Sequence, residues 1–314
     1  MNITNKPKII FFGTSEFAAT ILKKLHQSNI CDIPLVVTQP DEPKGRQQLL
    51  APPPIKEAAR NLDLSFIQPK KLDHDFEKII KTVNADAFIV VAYGKIIPKS
   101  ILDLPTLGCI NIHPSLLPLY RGPSPIQTSL LNGDKKTGTT IMVLDEKMDH
   151  GPILKQIDYP ISPNDTFITL SKKLAEASAE LLIDIFLDFY NNKIKPQQQD
   201  HTRATYTKII ERKDGQIDWS NTAQKIYDQW RAFILWPNIF SHIKVNNKNI
   251  LIKFNELKIS DNKPNSDYPP GQLFVYNEKL LAACGQNTYL EIAQLQPEGK
   301  KIMSALEFIN GHLK

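Results

Sequence analysis

The sequence predicts an α/β protein, with a doubly wound, parallel-rich sheet in the first part of the chain and a small all-β barrel in the last. Three observations carry this. KIIFFGT (8–14), LVVTQ (35–39), AFIVVAYG (87–94), CINIHP (109–114) and TTIMVLD (139–145) are short and nearly all apolar, as strands covered on both faces must be. Amphipathic stretches with helical spacing alternate with them. Beyond residue 190 the texture changes to short strand-like runs separated by turn residues.

Taken in order, the first strand runs into GTSEF. This is not G-x-G-x-x-G and reads as a tight strand-to-helix turn rather than a nucleotide fingerprint. Ser15 is a candidate N-cap for a helix whose apolar face is Phe17, Ile21, Leu22 and Leu25. Residues 39–54, QPDEPKGRQQLLAPPP, form a sixteen-residue Pro-rich loop where α/β units have short connections. Its only cations are Lys44 and Arg46, and it is either a partner-binding loop or a passive insertion. Further helices are expected over 75–82, 123–131 and 165–190. Residues 191–207, polar and without periodicity, read as a linker. A helix over 222–232 precedes the strands IFSHIKV, NILIKFNELKI, GQLFVYN, LLAAC and TYLEIAQLQ. The domains expected are 1–190 and 208–314.

Composition narrows the function classes. With 41% hydrophobic and 23% charged residues among 314, global disorder is excluded. No apolar run approaches the roughly 18 residues of a membrane span, and the polar start followed by a strand is unlike a signal peptide. Cys31, Cys109 and Cys284 are scattered, with neither a disulfide framework nor metal-ligand spacing, so a reducing, cytoplasmic setting is expected. The net charge of +5 is uneven. Residues 1–190 balance 21 Lys and Arg against 21 Asp and Glu, while 191–314 carry 17 against 12, a weak sign of an anionic partner such as RNA.

The chemistry concentrates at CINIHPSLLPLYRG (109–122). Asn111 and His113 share a parity, so on a strand both point to one face, at the carboxyl end where α/β folds bind ligands. Asp149 follows a later strand in a loop closed by Gly151 and Pro152 and is placed to meet them at one sheet edge. An amide donor, an imidazole and a carboxylate together suit a reaction that develops an oxyanion and moves a proton. No serine or cysteine sits in a nucleophile-elbow context, so direct attack by one substrate on the other is the simpler scheme.

The Asn111-Ile112-His113 run, SLLP at 115–118, YRG at 120–122 and Asp149-x-Gly151 resemble the 10-formyltetrahydrofolate-dependent formyltransferases, matching at the Asn, His and Asp positions. FFGTSEFA, TQPD with a following GR, VVAYGKIIP, SPIQ, IDWS, RAF..WP and QPEGKKIMSA extend the resemblance from about residue 7 to about residue 306. They are similar to the branch of that family that acts on initiator methionyl-tRNA. The resemblance implies a Rossmann-like formyltransferase domain, an OB-like tRNA-binding barrel, 10-formyltetrahydrofolate as co-substrate, no metal, no membrane partner and a monomer. It implies that Asn111 and His113 stabilise a tetrahedral oxyanion, and that Asp149 supports protonated His113 and helps relay a proton to the leaving N10. The folate is expected against Tyr93, Gly94, Ser115, Leu116, Leu117 and Pro118, and tRNA against Arg46 and Lys44. Two departures remove positive charge near the expected tRNA end: Gln47-Gln48-Leu49 where relatives commonly have Gly-Lys-Lys, and Leu119 where Lys or Arg is frequent. The alternatives are a 10-formyltetrahydrofolate hydrolase, a sugar-amine N-formyltransferase and a non-catalytic RNA-binding module.

Overall fold

The computed structural model describes residues 6–45, 48–245, 248–262, 264 and 267–313. Its contacts divide the chain into two compact units. The first comprises residues up to Pro125 with Lys136–Pro160 and Ser171–Thr207; the second comprises Ile126–Lys135, Ile161–Leu170 and Lys208–Lys314.

The elements up to residue 190 are β1 (Lys8–Gly13), α1 (Glu16–Ser28), β2 (Asp32–Val37), β3 (Glu42–Lys44), β4 (Leu49–Ala51), α2 (Pro54–Asn61), β5 (Phe66–Ile67), α3 (His74–Lys81), β6 (Ala87–Val91), α4 (Lys99–Leu102), β7 (Cys109–His113), α5 (Pro125–Leu131), β8 (Lys136–Val143), β9 (Ile153–Pro160) and α6 (Phe167–Tyr190). The main sheet has the order β5-β2-β1-β6-β7-β8-β9. Its ladders are parallel from β5 to β7, and β8 and β9 are antiparallel. The central strands are buried from end to end, which is why they appear in the sequence as unbroken apolar runs. One face packs Ile10, Phe12, Val37, Phe88, Val90 and Tyr93 against Phe76, Ile80 and Ile101 of α3 and α4. Each such side chain, fully buried, contributes about 1.5–3 kcal/mol. The expected cap is present: Ser15 accepts from the Ala18 amide at 3.4 Å.

Several elements escape the sequence pattern. Strand β9 is half exposed and carries Lys155 and Asp158, so it lacks the apolar run of a covered strand. Helix α2 is masked by three prolines, the last of which occupies the first helical turn, where no donor is needed. Strands β3 and β4 make an antiparallel hairpin of the long loop 39–54, pairing Glu42 with Ala51. At the base of that loop, Asp41 is ion-paired to Lys56 at 2.7 Å and takes a hydrogen bond from Gln68. These partners hold its carboxyl below the usual range. The stretch read as a linker, 191–207, belongs to the first unit and is tied to it by side-chain and backbone hydrogen bonds. Its glutamines look like linker composition because their partners are distant in sequence.

In the second unit α7 (Ala223–Phe233) precedes β10 (Ile239–Val245), β11 (Lys248–Ser260), β12 (Leu273–Tyr276), β13 (Lys279–Cys284), β14 (Thr288–Pro297), β15 (Met303–Ser304) and α8 (Ala305–His312). The strands form one antiparallel sheet, β10-β11-β14-β13-β12 with β15 added to β14, curled into the half-barrel of an OB-like domain. The register shifts around Glu256 in β11, an irregularity of the kind that bends a long strand. Helix α8, not expected from the sequence, is closed by a Ser304–Glu307 capping box and buries Phe308.

Asp228 and Arg231 of α7 form a buried ion pair, about 6% and 5% exposed at their side chains, and Arg231 Nη1 also donates to the Asp165 carbonyl at 2.8 Å. Removing one partner strands a charge in the interior. Asp228→Asn is therefore expected to destabilise the second unit by about 3–5 kcal/mol, read from urea unfolding. A loss below about 1 kcal/mol, the range of an exposed pair, would show that the clasp contributes little.

Candidate active site

Strand β7 presents Cys109, Asn111 and His113 on one face, because successive residues of a strand alternate. Both polar residues are buried, Asn111 at 9% and His113 at 5% exposure. The His113 Nε2 lies 2.9 Å from the Tyr120 carbonyl. A carbonyl can only accept, so Nε2 carries the proton there and Nδ1 is left facing Asp149. Its distance to Asp149 Oδ2 is 3.6 Å, within ion-pair range and longer than a hydrogen bond. The Asn111 side-chain amide has no hydrogen-bond partner among the described residues. At 9% exposure its amide still reaches solvent, so it is free to donate to a group from outside the chain.

Asp149 is placed by its backbone. It sits at φ 50, the left-handed region that a non-glycine residue occupies only where its surroundings impose it. Its carboxylate accepts from the Gly122 amide at 2.7 Å, and its carbonyl accepts from Gln199 at 2.9 Å. Gly151 lies so close to the Val143 carbonyl that no Cβ fits, which draws the loop back onto β8. The fold thus sets His113 3.6 Å from Asp149, with Asn111 on the same face of β7. Gly122 and Gln199 are additions it did not reveal: one acts through a backbone amide, the other from the supposed linker.

The six residues expected against folate are held by the protein's own contacts. Ser115 is fully buried, its hydroxyl donating to the Leu119 carbonyl at 2.6 Å. Leu117 is tied by its amide to Thr140 Oγ1 and by its carbonyl to Gln156, while Leu116 packs against Gly138. This segment, which ends at Pro118, pins the turn after β7 onto β8 and β9. The Tyr93 ring packs edge-on against Phe12 in the core, where burial pushes its phenol up to about 12. Its carbonyl accepts from Thr14 and Gln39, and Gly94, at φ 83, follows beside the Gln39 amide. These bonds tie the loop after β6 to those after β1 and β2, at the point where the strand order reverses. The exposed apolar side chain of that loop is instead Ile96, at 93%. Arg46 lies outside the described residues, as does the side chain of Lys44.

A cleft of about 670 Å³ opens between residues 105–109, which lead into β7, and residues 143–147 with His150, in the loop that carries Asp149. Cys109 lines it on the face that also carries Asn111 and His113. Burial pushes the Cys109 thiol up to about 12, so it offers no thiolate near neutrality. Among the described residues no three His, Cys, Asp or Glu side chains converge as metal ligands, and no helix is long and apolar enough to cross a membrane.

Residues 7–186 match the family model described as formyl transferase, and residues 209–313 match the one described as formyl transferase, C-terminal domain. The chain belongs to the formyl transferase family. A methionyl-tRNA formyltransferase of Caldicellulosiruptor saccharolyticus is 44% identical over 306 residues, covering 97% of this chain and 96% of the relative. One from Thermodesulfovibrio yellowstonii is 44% identical over 304 residues, with 96% and 95% covered. Within the family, the chain therefore falls among the methionyl-tRNA formyltransferases. An N-formyltransferase from Helicobacter canadensis, solved with folinic acid and dTDP-3-aminofucose, shares the fold at a TM-score of 0.64 and 18% identity. That match covers 91% of this chain and 98% of the other.

Gly122 adopts φ +111, and a Cβ there would stand 2.8 Å from Thr207 Oγ1 and 2.9 Å from the Thr207 carbonyl. Gly122→Ala is expected to lower stability by about 1–3 kcal/mol and to withdraw the amide from Asp149. Urea unfolding indistinguishable from the unaltered protein would show that an alanine fits.

Proposed function

We propose that the protein transfers the formyl group of 10-formyltetrahydrofolate to the α-amino group of methionine on initiator methionyl-tRNA, in the cytoplasm. The observation that carries the chemistry is the buried, partnerless amide of Asn111 beside His113 and Asp149. Relatives at 44% identity over nearly the whole chain support the acceptor. The folate co-substrate lies in the cleft beside Cys109 and the Asp149 loop, its formyl carbon directed toward Asn111 and His113.

The methionine amine attacks the formyl carbon directly, forming the new C–N bond and placing negative charge on the formyl oxygen. Asn111 donates its amide to that oxygen, and His113 in its imidazolium form donates from Nδ1, since Nε2 gives its proton to the Tyr120 carbonyl. Donors placed before the charge develops need no reorganisation, the main source of their effect. Asp149 stabilises the imidazolium and takes the proton that the attacking nitrogen loses. The tetrahedral adduct then collapses, the bond to N10 breaks, and Asp149 returns the proton to N10, giving tetrahydrofolate and formylmethionyl-tRNA. Each atom and proton is accounted for without a covalent enzyme intermediate.

His113→Ala and Asn111→Ala are each expected to lower kcat by roughly 100–1,000-fold while shifting the folate KM little, measured by transfer of labelled formyl to methionyl-tRNA. Near-native turnover in either variant removes the assigned role, and labelled formate without labelled tRNA would make the protein a hydrolase. The tRNA contacts of the 39–54 loop are assigned to Lys44 and Arg46. Arg46→Ala is expected to raise the KM for tRNA and to reduce the salt slope of tRNA binding by about one unit. Superimposable salt titrations would leave the loop without a phosphate contact.

A further inference from the structure

Residues 197–207 are built into the site. Gln197 exchanges two backbone hydrogen bonds with Ile153, at 2.7 and 2.8 Å. Further along, Arg121 donates its amide to the Thr205 carbonyl and accepts from the Thr207 amide, so the segment lies beside the YRG turn as an added strand. Between these anchors stands Gln199, 6% exposed. Its Nε2 donates to the carbonyls of Asp149 (2.9 Å) and Gly151 (2.7 Å), and its Oε1 accepts from Arg121 Nη2 at 2.7 Å. The amide orientation follows from its partners, since two carbonyls can only accept and a guanidinium can only donate. Arg121 is itself 2% exposed and has no carboxylate partner among the described residues. Gln199 therefore uses its full set of donors and acceptor to join a buried guanidinium to both sides of the left-handed turn at Asp149. Arg121 precedes Gly122, whose amide holds the Asp149 carboxylate. One clasp thus grips that residue from its carbonyl and from its side chain.

We infer that Gln199 is a positioning residue: by fixing the turn at Asp149 it sets the distance of that carboxylate from His113. The inference rests on the formyl-transfer reading above. A side chain of the same length without two donors cannot replace it. Geometry matters here because misplacing a catalytic group by about 1 Å costs up to ~100-fold in rate.

The test compares the full-length protein with Gln199→Glu, which keeps an acceptor for Arg121 but loses both donors, and with Asp149→Asn and the double variant. Gln199→Glu is expected to lower kcat by roughly 10–100-fold, with the KM for either substrate changed less than about threefold. In the Asp149→Asn background the same change is expected to add no further loss, because the carboxylate it positions is gone. An additive loss, or wild-type kcat in the single variant, overturns the inference. A readout independent of turnover is the His113 ring proton signal in NMR, which in Gln199→Glu should move toward its position in Asp149→Asn. An unmoved signal overturns the inference too. A protein that forms no formylmethionyl-tRNA but whose His113 signal moves as expected would refute the formyl-transfer reading and leave the positioning role standing.

Discussion

The position of one carboxylate governs the site. Asp149 must stand close to His113 at the end of a buried strand, and no regular element carries it there. Its loop leaves β8, turns through a left-handed residue and returns as β9, so strand pairing sets the two ends of the loop and leaves the conformation of its middle open. What decides that middle is a set of backbone contacts: the Gly122 amide on the carboxylate, Gln199 on the carbonyls, and the approach of Gly151 to Val143. An unfavourable backbone angle persists because its neighbours over-determine it.

That arrangement also rests on the turn after β7. The SLLP segment, through its hydrogen bonds to Thr140 and Gln156 and the packing of Leu116 on Gly138, pins the turn after β7. The turn delivers the Tyr120 carbonyl to His113 and the Gly122 amide to Asp149. In this way the segment orients the His113 ring and the Asp149 carboxylate. In the β6 loop Tyr93 fills the core with its ring, while its carbonyl ties the loop to Thr14 and Gln39.

The second unit follows a different rule. Its antiparallel sheet has one covered face, so β10 alternates buried and exposed positions, and irregular pairing lets β11 curl. On α7 it buries the Asp228–Arg231 ion pair.

The sequence by itself determined the α/β class, most of the strands, the half-barrel and the Asn111, His113 and Asp149 set. All of these are legible because they depend on local signals: unbroken apolar runs, alternation, helical spacing, and residue types at fixed parity. Strand β9, helix α2 and the role of residues 197–207 were not legible. An edge strand needs no apolar run, a proline at a helix start resembles a loop, and a glutamine that completes a site is composed like any linker residue. Only tertiary structure could decide that Tyr93 and Ser115 turn inward and that Gln199 reaches Asp149. For Gln199 the partners lie about 50 or more positions away, for Ser115 the turn after β7 folds back on Leu119, and for Tyr93 the core takes the ring. Such pairings leave no periodicity along the chain, because the satisfaction of a buried polar group is a property of what folding brings beside it.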